Sequence, residues 1–586
     1  MRKKCFLTVA VVLTFLVNSF ITSYAAVRGD LNGDNNVNAL DFALYKMYLL
    51  GTYQLNDTTI GDLNGDGWAN SLDYAVFKQY LLGKITEFPA DATSTPIVNP
   101  TPTPSSDPKK DWEKNKGTIN LGSTITYTGE GISVNGSTVM ITSGGDHTVT
   151  GTLTNGMIYI NTKDRVKLRL SGVNITNSTG PAIFFDDVDK GFITLVEGTV
   201  NTLTDGRNYN VKAKATLFSN DDLEIKGKGT LNITANYNHA IASDDDINIE
   251  NGTINILSAA NDGVHANGSI DITGGTLNIT ATGDCLQTED EDLRIEDGKL
   301  TLSAGSQALK SDYGVIINGG TVNVLNAKEG IEAPNITING GTVNINAEDD
   351  CINASMSTDA MFNSDGSHLI INGGSIYVSA TTGDAIDSNG DFTMNGGTVV
   401  VHGPQSQPEV AIDVNGNFTV KGGTLIAVGP SPLMAQYPTG ASSQYSIAAM
   451  FNSSQVANSA LCIKDSTGKV LAITRPKRNY IYVVFSSPEL KYGSTYTIYS
   501  GGTVSGGTEQ NGLIIGGTYN GGTELATITV TNSPTTAVNW NSGWFPGGGG
   551  FPGGGGFPGG GGFPGGGGFP GGGGFPGGGG FPGWGW

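Results

Sequence analysis

Two stretches near the N-terminus carry oxygen-bearing side chains at the spacing of a calcium loop. The first offers Asp30, Asn32, Asp34, the carbonyl of Asn36, Asn38 and Asp41; the second, 32 residues later, offers Asp62, Asn64, Asp66, the carbonyl of Trp68, Asn70 and Asp73. Oxygens at loop positions 1, 3, 5, 7, 9 and 12 are what a hard calcium ion takes from a turning chain, here with Asp as the final ligand. Each loop runs into a segment, FALYKMYLLG or YAVFKQYLLG, whose apolar residues recur at three- and four-residue spacing and predict a helix.

A second acidic series lies further along. The phrases NDGVHAN (from Asn261), GDCLQTE (Gly283), SQALKSD (Ser306), KEGIEAP (Lys328), DDCINAS (Asp349) and GDAIDSN (Gly383) return in register. Asp262, Asp284, Asp350 and Asp384 lead four of them, with Gln307 and Glu329 in the other two. Another acidic set, Asp222, Asp246, Asp292 and Asp391, precedes the following strands. Stacked carboxylates repel, so such a column either recruits cations, calcium first among them, or spreads into solvent. For proton abstraction the nearest basic candidates are Arg294 and Lys310. The five His residues show no metal-ligand spacing, and His239 and His265 read as hydrogen-bonding turn residues.

These residues need a scaffold that repeats. A Gly-Thr/Ser-apolar phrase starts at Gly229, Gly252, Gly275, Gly298, Gly320, Gly341, Gly374, Gly397 and Gly423, at spacings of 23, 23, 23, 22, 21, 33, 23 and 26. A period near 22 made of short strands and Gly/Asn turns is too short for a propeller blade and fits one coil of a parallel β-helix. In LNI, INI, LNI, LTL, VNV and VNI the outer residues are apolar and the middle one polar, the alternation of a half-buried strand. Pairs such as Leu231/Ile233 and Leu277/Ile279 then line the core, while Asn232, Asn255, Asn278, Thr301, Asn323 and Asn344 form an outer row. The 33-residue interval holds an inserted loop near 355–366. Cys285 and Cys351 occupy one position in coils three apart, about 14 Å at ~4.8 Å per coil, too far for a disulfide. All six Trp lie outside 113–539, so the repeat offers few aromatic platforms, Tyr377 being among the scattered rings expected on its face.

The composition agrees. Of 586 residues, 88 are Gly and 15% are charged, which excludes one long helical domain; 32 Lys+Arg against 53 Asp+Glu, a net charge of −21, argues against a nucleic-acid partner. Residues 1–25 read as a cleaved export signal, with basic Arg2, Lys3 and Lys4 before an apolar run, and no later segment is apolar enough to span a membrane. A Pro/Thr linker follows at 89–110, a β-rich extension at 431–540, and a disordered FPGGGG tail at 541–586, adhesive through its Phe rings or a simple spacer.

The tandem loops with their Leu-Leu-Gly helices (27–88) resemble the type I dockerin of cellulosomal proteins. That resemblance implies a small all-α calcium-binding module docking to a scaffoldin cohesin, with partner recognition at Ala39, Leu40, Ser71 and Leu72, where the family often carries Ser-Thr. LSGVNITNSTGPAI at 170–183, TDGRNYN at 204–210, NYNHAI at 236–241 and the GDxI-type turns resemble the clostridial carbohydrate-binding β-helix family, similar in fold to pectate lyases. This implies a mainly β chain, a right-handed parallel β-helix (111–430) with a C-terminal β-rich cap. It also implies binding of pectic or cellulosic plant cell-wall polysaccharide, with Ca2+ on the helix and Asp262, Asp284, Asp350 and Asp384 matching the turn motif. A secreted, non-catalytic cellulosome subunit is the expectation; a calcium-dependent polysaccharide lyase using Lys310 or Arg294 is the alternative.

Overall fold

The computed structural model describes residues 28–32, 36–49, 53, 55, 58–63, 69, 71–81, 88, 112–356, 363–431, 434–439, 441–510, 512–531 and 536–538. The expected export signal, the Pro/Thr linker, the FPGGGG tail, and the loop residues Asp34, Asn64, Asp66, Trp68 and Asn70 lie outside the described residues. The chain divides into two compact units, Met1–Ser105 and Ser106–Trp586.

In the first unit the two predicted helices form, α1 (Ala39–Leu49) and α2 (Ser71–Leu81). Asn38 caps α1, its Oδ1 accepting the N–H of Leu40 at 2.8 Å. The three-and-four spacing points Tyr45 and Phe77 inward, where they join Leu31, Leu63 and Phe88 in a small core. Phe42 and Tyr74 stack across the helix pair with centroids 4.1 Å apart.

The second unit is a β-solenoid of about 12 turns. One coil comprises three strands, for example Ile247–Ile249, Thr253–Ala259 and Val264–Ala266. Each strand pairs in parallel with its counterpart one coil on, giving three ladders. The first ladder runs through Ile247, Ile270, Leu293, Val315, Ile336 and Leu369; the second through Ile254, Leu277, Leu300, Val322, Val343 and Ile376; the third through Val264, Leu286, Leu309, Ile331 and Ile352. All of these side chains are buried in one continuous core. Strand alternation leaves no freedom in this register, because a one-residue slip would turn every apolar side chain outward.

The glycine that opens each phrase has a steric reason. Gly341 sits at φ +81°, and a Cβ there would stand 2.8 Å from the carbonyl oxygen of Gly319 in the preceding coil. Only glycine combines left-handed backbone with so close an approach. On the outer face of the second ladder the Asn row forms as expected. Asn255 Nδ2 donates to Asn232 Oδ1 at 2.8 Å, Asn278 to Asn255 at 2.8 Å, and Asn344 to Asn323 at 2.9 Å. Cys285, Cys351 and Cys462 are free and buried, and burial pushes the thiols of all three up to about 12.

Tyr377 departs from expectation. It occupies the Asn344 position one coil on, followed by Val400 and Ile426, and all three are buried. The outer row turns apolar there because the C-terminal extension covers it, packing Ile447, Ala449 and Phe485 onto these residues in a second core. Tyr377 is therefore no ligand platform. Its hydroxyl lies 3.2 Å from His402 Nδ1. The extension also closes the end of the solenoid, since Tyr480–Ser486 pairs antiparallel with the last strand of the second ladder, Thr424–Gly429, and removes an open edge.

Leu300 is fully buried between Leu277 and Val322. Leu300→Ala should lower folding stability by about 2–5 kcal/mol, whereas Thr301→Val on the outer row should change it by less than about 1 kcal/mol. Urea unfolding of the two variants checks the assignment of inner and outer faces.

Candidate functional site

The third ladder carries the ionisable groups. Two residues before each of its in-register apolar positions stand, coil by coil, His239, Asp262, Asp284, Gln307, Glu329, Asp350, Asp384 and Val410. These positions share one edge of the solenoid. The four Asp carboxylates turn onto the backbone of the following coil, while Glu329 Oε2 accepts the side-chain amide of Asn353 at 3.2 Å. Asp262 Oδ1 accepts the N–H of Asp284 at 2.8 Å, Asp284 Oδ1 that of Gln307 at 2.8 Å, and Asp350 Oδ1 that of Asp384 at 2.7 Å. Asp384 Oδ1 receives the N–H of Val410. At this corner the carboxylate satisfies an amide that would otherwise be buried without a partner.

Beside this edge runs an outward row on the same strands: His265, Gln287, Lys310, Glu332, Asn353, Asp387 and Asp413. Lys310 stands in it between Gln287 and Glu332, while Arg294 belongs to the first ladder, held by Asp292 Oδ2 at 2.5 Å. The two basic candidates are thus not brought together. Of the other acidic set, Asp246 Oδ1 accepts the N–H of Ser269 at 2.7 Å and Asp391 Oδ1 that of Asn417 at 2.7 Å.

Among the described residues, three groups gather ligand atoms within 4.8 Å of one another: Asp384, Asp387 and Asp413; Asp222, Asp245 and Asp246; and His239, Asp262 and His265. The first is an unbalanced acid patch. Burial, then the neighbouring carboxylates, push Asp384 up to about 9 and Asp387 to about 7. Asp350 is pushed to about 8 by burial and by Asp387, Asp349 and Glu329. Asp262 behaves oppositely in the same column. Burial alone would raise it, but the imidazoles of His239 and His265 hold its carboxyl below the ordinary range. Burial lowers His239; it would lower His265 too, but the Asp262 carboxylate outweighs it and the net shift is upward.

The periodic residues of this edge were legible as a series; Asp245, Asp387, Asp413 and the pairing of His239 with His265 were not. The repeated AID at 385–387 and 411–413, spaced by one coil, is the signal for Asp387 and Asp413. For His239 it is the 23-residue step that places it in the column next to Asp262.

In the N-terminal unit Asp41 and Asp73, the last residues of the two loops, are fully buried. Asp41 Oδ1 accepts the N–H groups of Leu31 and Asn32 at 2.9 and 3.1 Å and Oδ2 that of Asn38 at 3.0 Å, while Asp73 Oδ1 accepts Leu63 N–H at 2.8 Å. Each final Asp thus ties the start of its loop to the helix that follows. Asp30 is buried and Asp62 lies 3.8 Å from Arg28. Leu40, in the first turn of α1, is 57% exposed. Ala39 opens the same turn, and Ser71 and Leu72 open α2.

Comparison with known proteins places both units. Residues 28–82 match the dockerin type I domain, and residues 135–365 match the family described as carbohydrate-binding domain-containing protein. The N-terminal unit thus matches type I dockerins, and the β-solenoid is similar over 135–365 to the carbohydrate-binding-domain family. A carbohydrate-binding domain-containing protein of Acetivibrio thermocellus is 36% identical over 128 residues, which cover 20% of this chain and 45% of that protein. A solved polysaccharide lyase-like protein from C. thermocellum aligns at 27% identity and TM-score 0.33, over 48% of this chain and 96% of its own. Type I dockerins are a family that docks to cohesins of the cellulosome and binds calcium. Among the described residues no helix is long and apolar enough to cross a membrane.

The acid patch of the solenoid has a pH signature. The folded carboxyl of Asp384, raised to about 9, lies above its unfolded value, so the folded chain holds the extra proton. Stability is then greatest on the acid side and is lost as pH climbs from about 4 towards 9. With calcium chelated, the thermal midpoint of the solenoid should fall across that window. Asp384→Asn, which keeps an acceptor for Val410, should flatten the fall, and an unchanged slope in that variant would refute the assignment.

Proposed function

We propose that the chain is an exported, non-catalytic cellulosome subunit that docks through its dockerin to a scaffoldin cohesin. On this reading its solenoid binds acidic plant cell-wall polysaccharide, pectic chains before cellulose, along the third ladder. The observation that carries it is the unbroken polar row from His265 to Asp413 beside the column of corner carboxylates. A repeating polymer can meet a repeating face through many weak contacts, and a row of amides and charges suits hydroxyls and uronates better than stacking does.

Calcium would serve in two places. In the dockerin, Asp30, Asn32, Asn36, Asn38, Asp41, Asp62 and Asp73, with Asp34, Asn64, Asp66, Trp68 and Asn70, would complete the two loops. On the solenoid, Asp384, Asp387 and Asp413 offer three carboxylates in an all-oxygen setting, with Asp350 one coil away, and Asp222, Asp245 and Asp246 offer another. Calcium takes six to eight oxygens, so open positions would remain for sugar carboxylates and water. Asp284, whose Oδ1 caps Gln307, belongs to the same edge. Ala39, Leu40, Ser71 and Leu72 are the residues proposed to meet the cohesin.

A lyase reading keeps one specific support, Lys310 in the polar row with Asp284 close enough to feel its charge. Sedimentation of the full chain with insoluble polygalacturonate should retain it in calcium and release it in chelator. Asp387→Asn with Asp413→Asn should weaken retention at least tenfold while leaving cohesin binding intact. Retention unaffected by chelation would overturn the calcium bridge. A sustained rise in the ultraviolet absorbance of unsaturated uronate, abolished in Lys310→Ala, would replace the binding reading with a lyase.

A further inference from the structure

One cluster is chemically unlike the acid patches. His239 comes from one coil, Asp262 and His265 from the next, and Glu289 from the one after. Asp262 spends Oδ1 on the backbone of Asp284, and its Oδ2 faces two imidazoles, with His239 Nδ1 at 2.9 Å and His265 Nδ1 at 3.2 Å. The two rings stack with centroids 4.3 Å apart and 25° between planes. His265 Nε2 lies 3.3 Å from Glu289 Oε1. His239, Asp262 and His265 are each more than nine-tenths buried, at 6%, 3% and 7% exposure. His239 Nδ1, although 2.9 Å from the carboxylate, is buried and has no hydrogen-bond partner. A buried imidazole nitrogen with no hydrogen bond of its own, beside a carboxylate and a second imidazole, can give its lone pair to a metal ion.

We propose that His239, Asp262 and His265 bind a divalent transition-metal ion of the zinc class, with Glu289 as the outer carboxylate that orients His265. Two nitrogens and one oxygen select such an ion over calcium, which takes oxygens only. Bonds of about 2.0–2.1 Å in a tetrahedron put donor atoms roughly 3.3 Å apart, close to the two separations found here. A histidine that ligates through one nitrogen and gives its other N–H to a carboxylate is the usual support for such a ligand. Lys214, whose charge reaches His239, is paired with Asp244 at 2.5 Å. Three protein donors leave the fourth position to water or a ligand oxygen. The proposal does not rest on the polysaccharide reading, since its donors, apart from Asp262, lie outside the calcium sets.

The test uses the full chain in saturating calcium, so that oxygen-only sites are filled. Titration with Zn2+ against a chromophoric chelator should reveal one tight equivalent, and Co2+ at that site should give the intense visible bands of tetrahedral coordination. His239→Gln with His265→Gln should abolish both while retaining the β-rich circular dichroism spectrum. Glu289→Gln should keep the site but weaken it roughly 10–100-fold. If the double variant does not fold, Asp262→Asn, which keeps the acceptor for Asp284, and the cobalt spectrum of the unaltered chain decide. A tight equivalent that survives the folded double variant or Asp262→Asn, or no tight equivalent in the unaltered chain, overturns the proposal.

Discussion

Everything in the solenoid depends on one coil hydrogen-bonding directly onto the next. Within the strands that stacking pairs the amides coil to coil, but at the corners the chain turns away and an N–H loses its natural partner. The third ladder answers with side chains: Asp262, Asp284, Asp350 and Asp384 each accept the amide of the coil that follows. The answer has an electrostatic consequence, because a position that repeats every coil brings like groups to about 4.8 Å of one another. Where the repeated residue is Asn, this helps, since the amide both donates and accepts and the row from Asn232 to Asn278 zips itself. Where it is Asp, the ladder accumulates charge that only burial, protons, cations or neighbouring residues can balance.

What balances it changes along the column. Around Asp262 two imidazoles stand close, and the carboxyl is held below its ordinary range. Around Asp384 the neighbours are Asp413, Asp350 and Asp387, and burial with their repulsion pushes it to about 9. Position in the coil is the same; the difference lies wholly in what the adjoining coils contribute. A regular scaffold therefore produces distinct chemistries by small breaks in its own repeat, with imidazoles near the middle of the edge and an array of acids towards its C-terminal end. Gln307, which interrupts the acids between Asp284 and Glu329, is such a break, and it spares the column one like-charge contact on each side.

The regular part of this design was legible because its signals are local and periodic. Glycine at φ > 0 against a close backbone, the apolar-polar-apolar triplet and the spacing of 21–23 each point to the same coil, so the core and the Asn row follow from the letters alone. The failures share a cause as well. Tyr377 reads as a ring on an open face because its own strand says nothing about what covers it. The cover is a sheet built from residues about 70–110 positions away, although IYV, VVV and LIA in place of VNI already announce that the outer row has turned apolar. His239 and His265 read along the chain as separate turn residues, and their stacking follows from a separation of about one coil length, which no short-range spacing shows.

That geometry also bears on how such a surface can be used. A globular site gathers its groups from scattered elements and holds one ligand. A solenoid offers the same position again at each coil, so its natural ligand is one that repeats too, and affinity grows with the number of coils engaged more than with the strength of any one contact. Rigid coils help further, because the polymer meets side chains already held by the ladder and little order must be created on binding. On the proposed reading, cation sites would act at particular coils and not along the whole face. An acid patch near the C-terminal end and an imidazole pair near the middle would fix where along the row a chain can sit, giving register to an otherwise sliding contact.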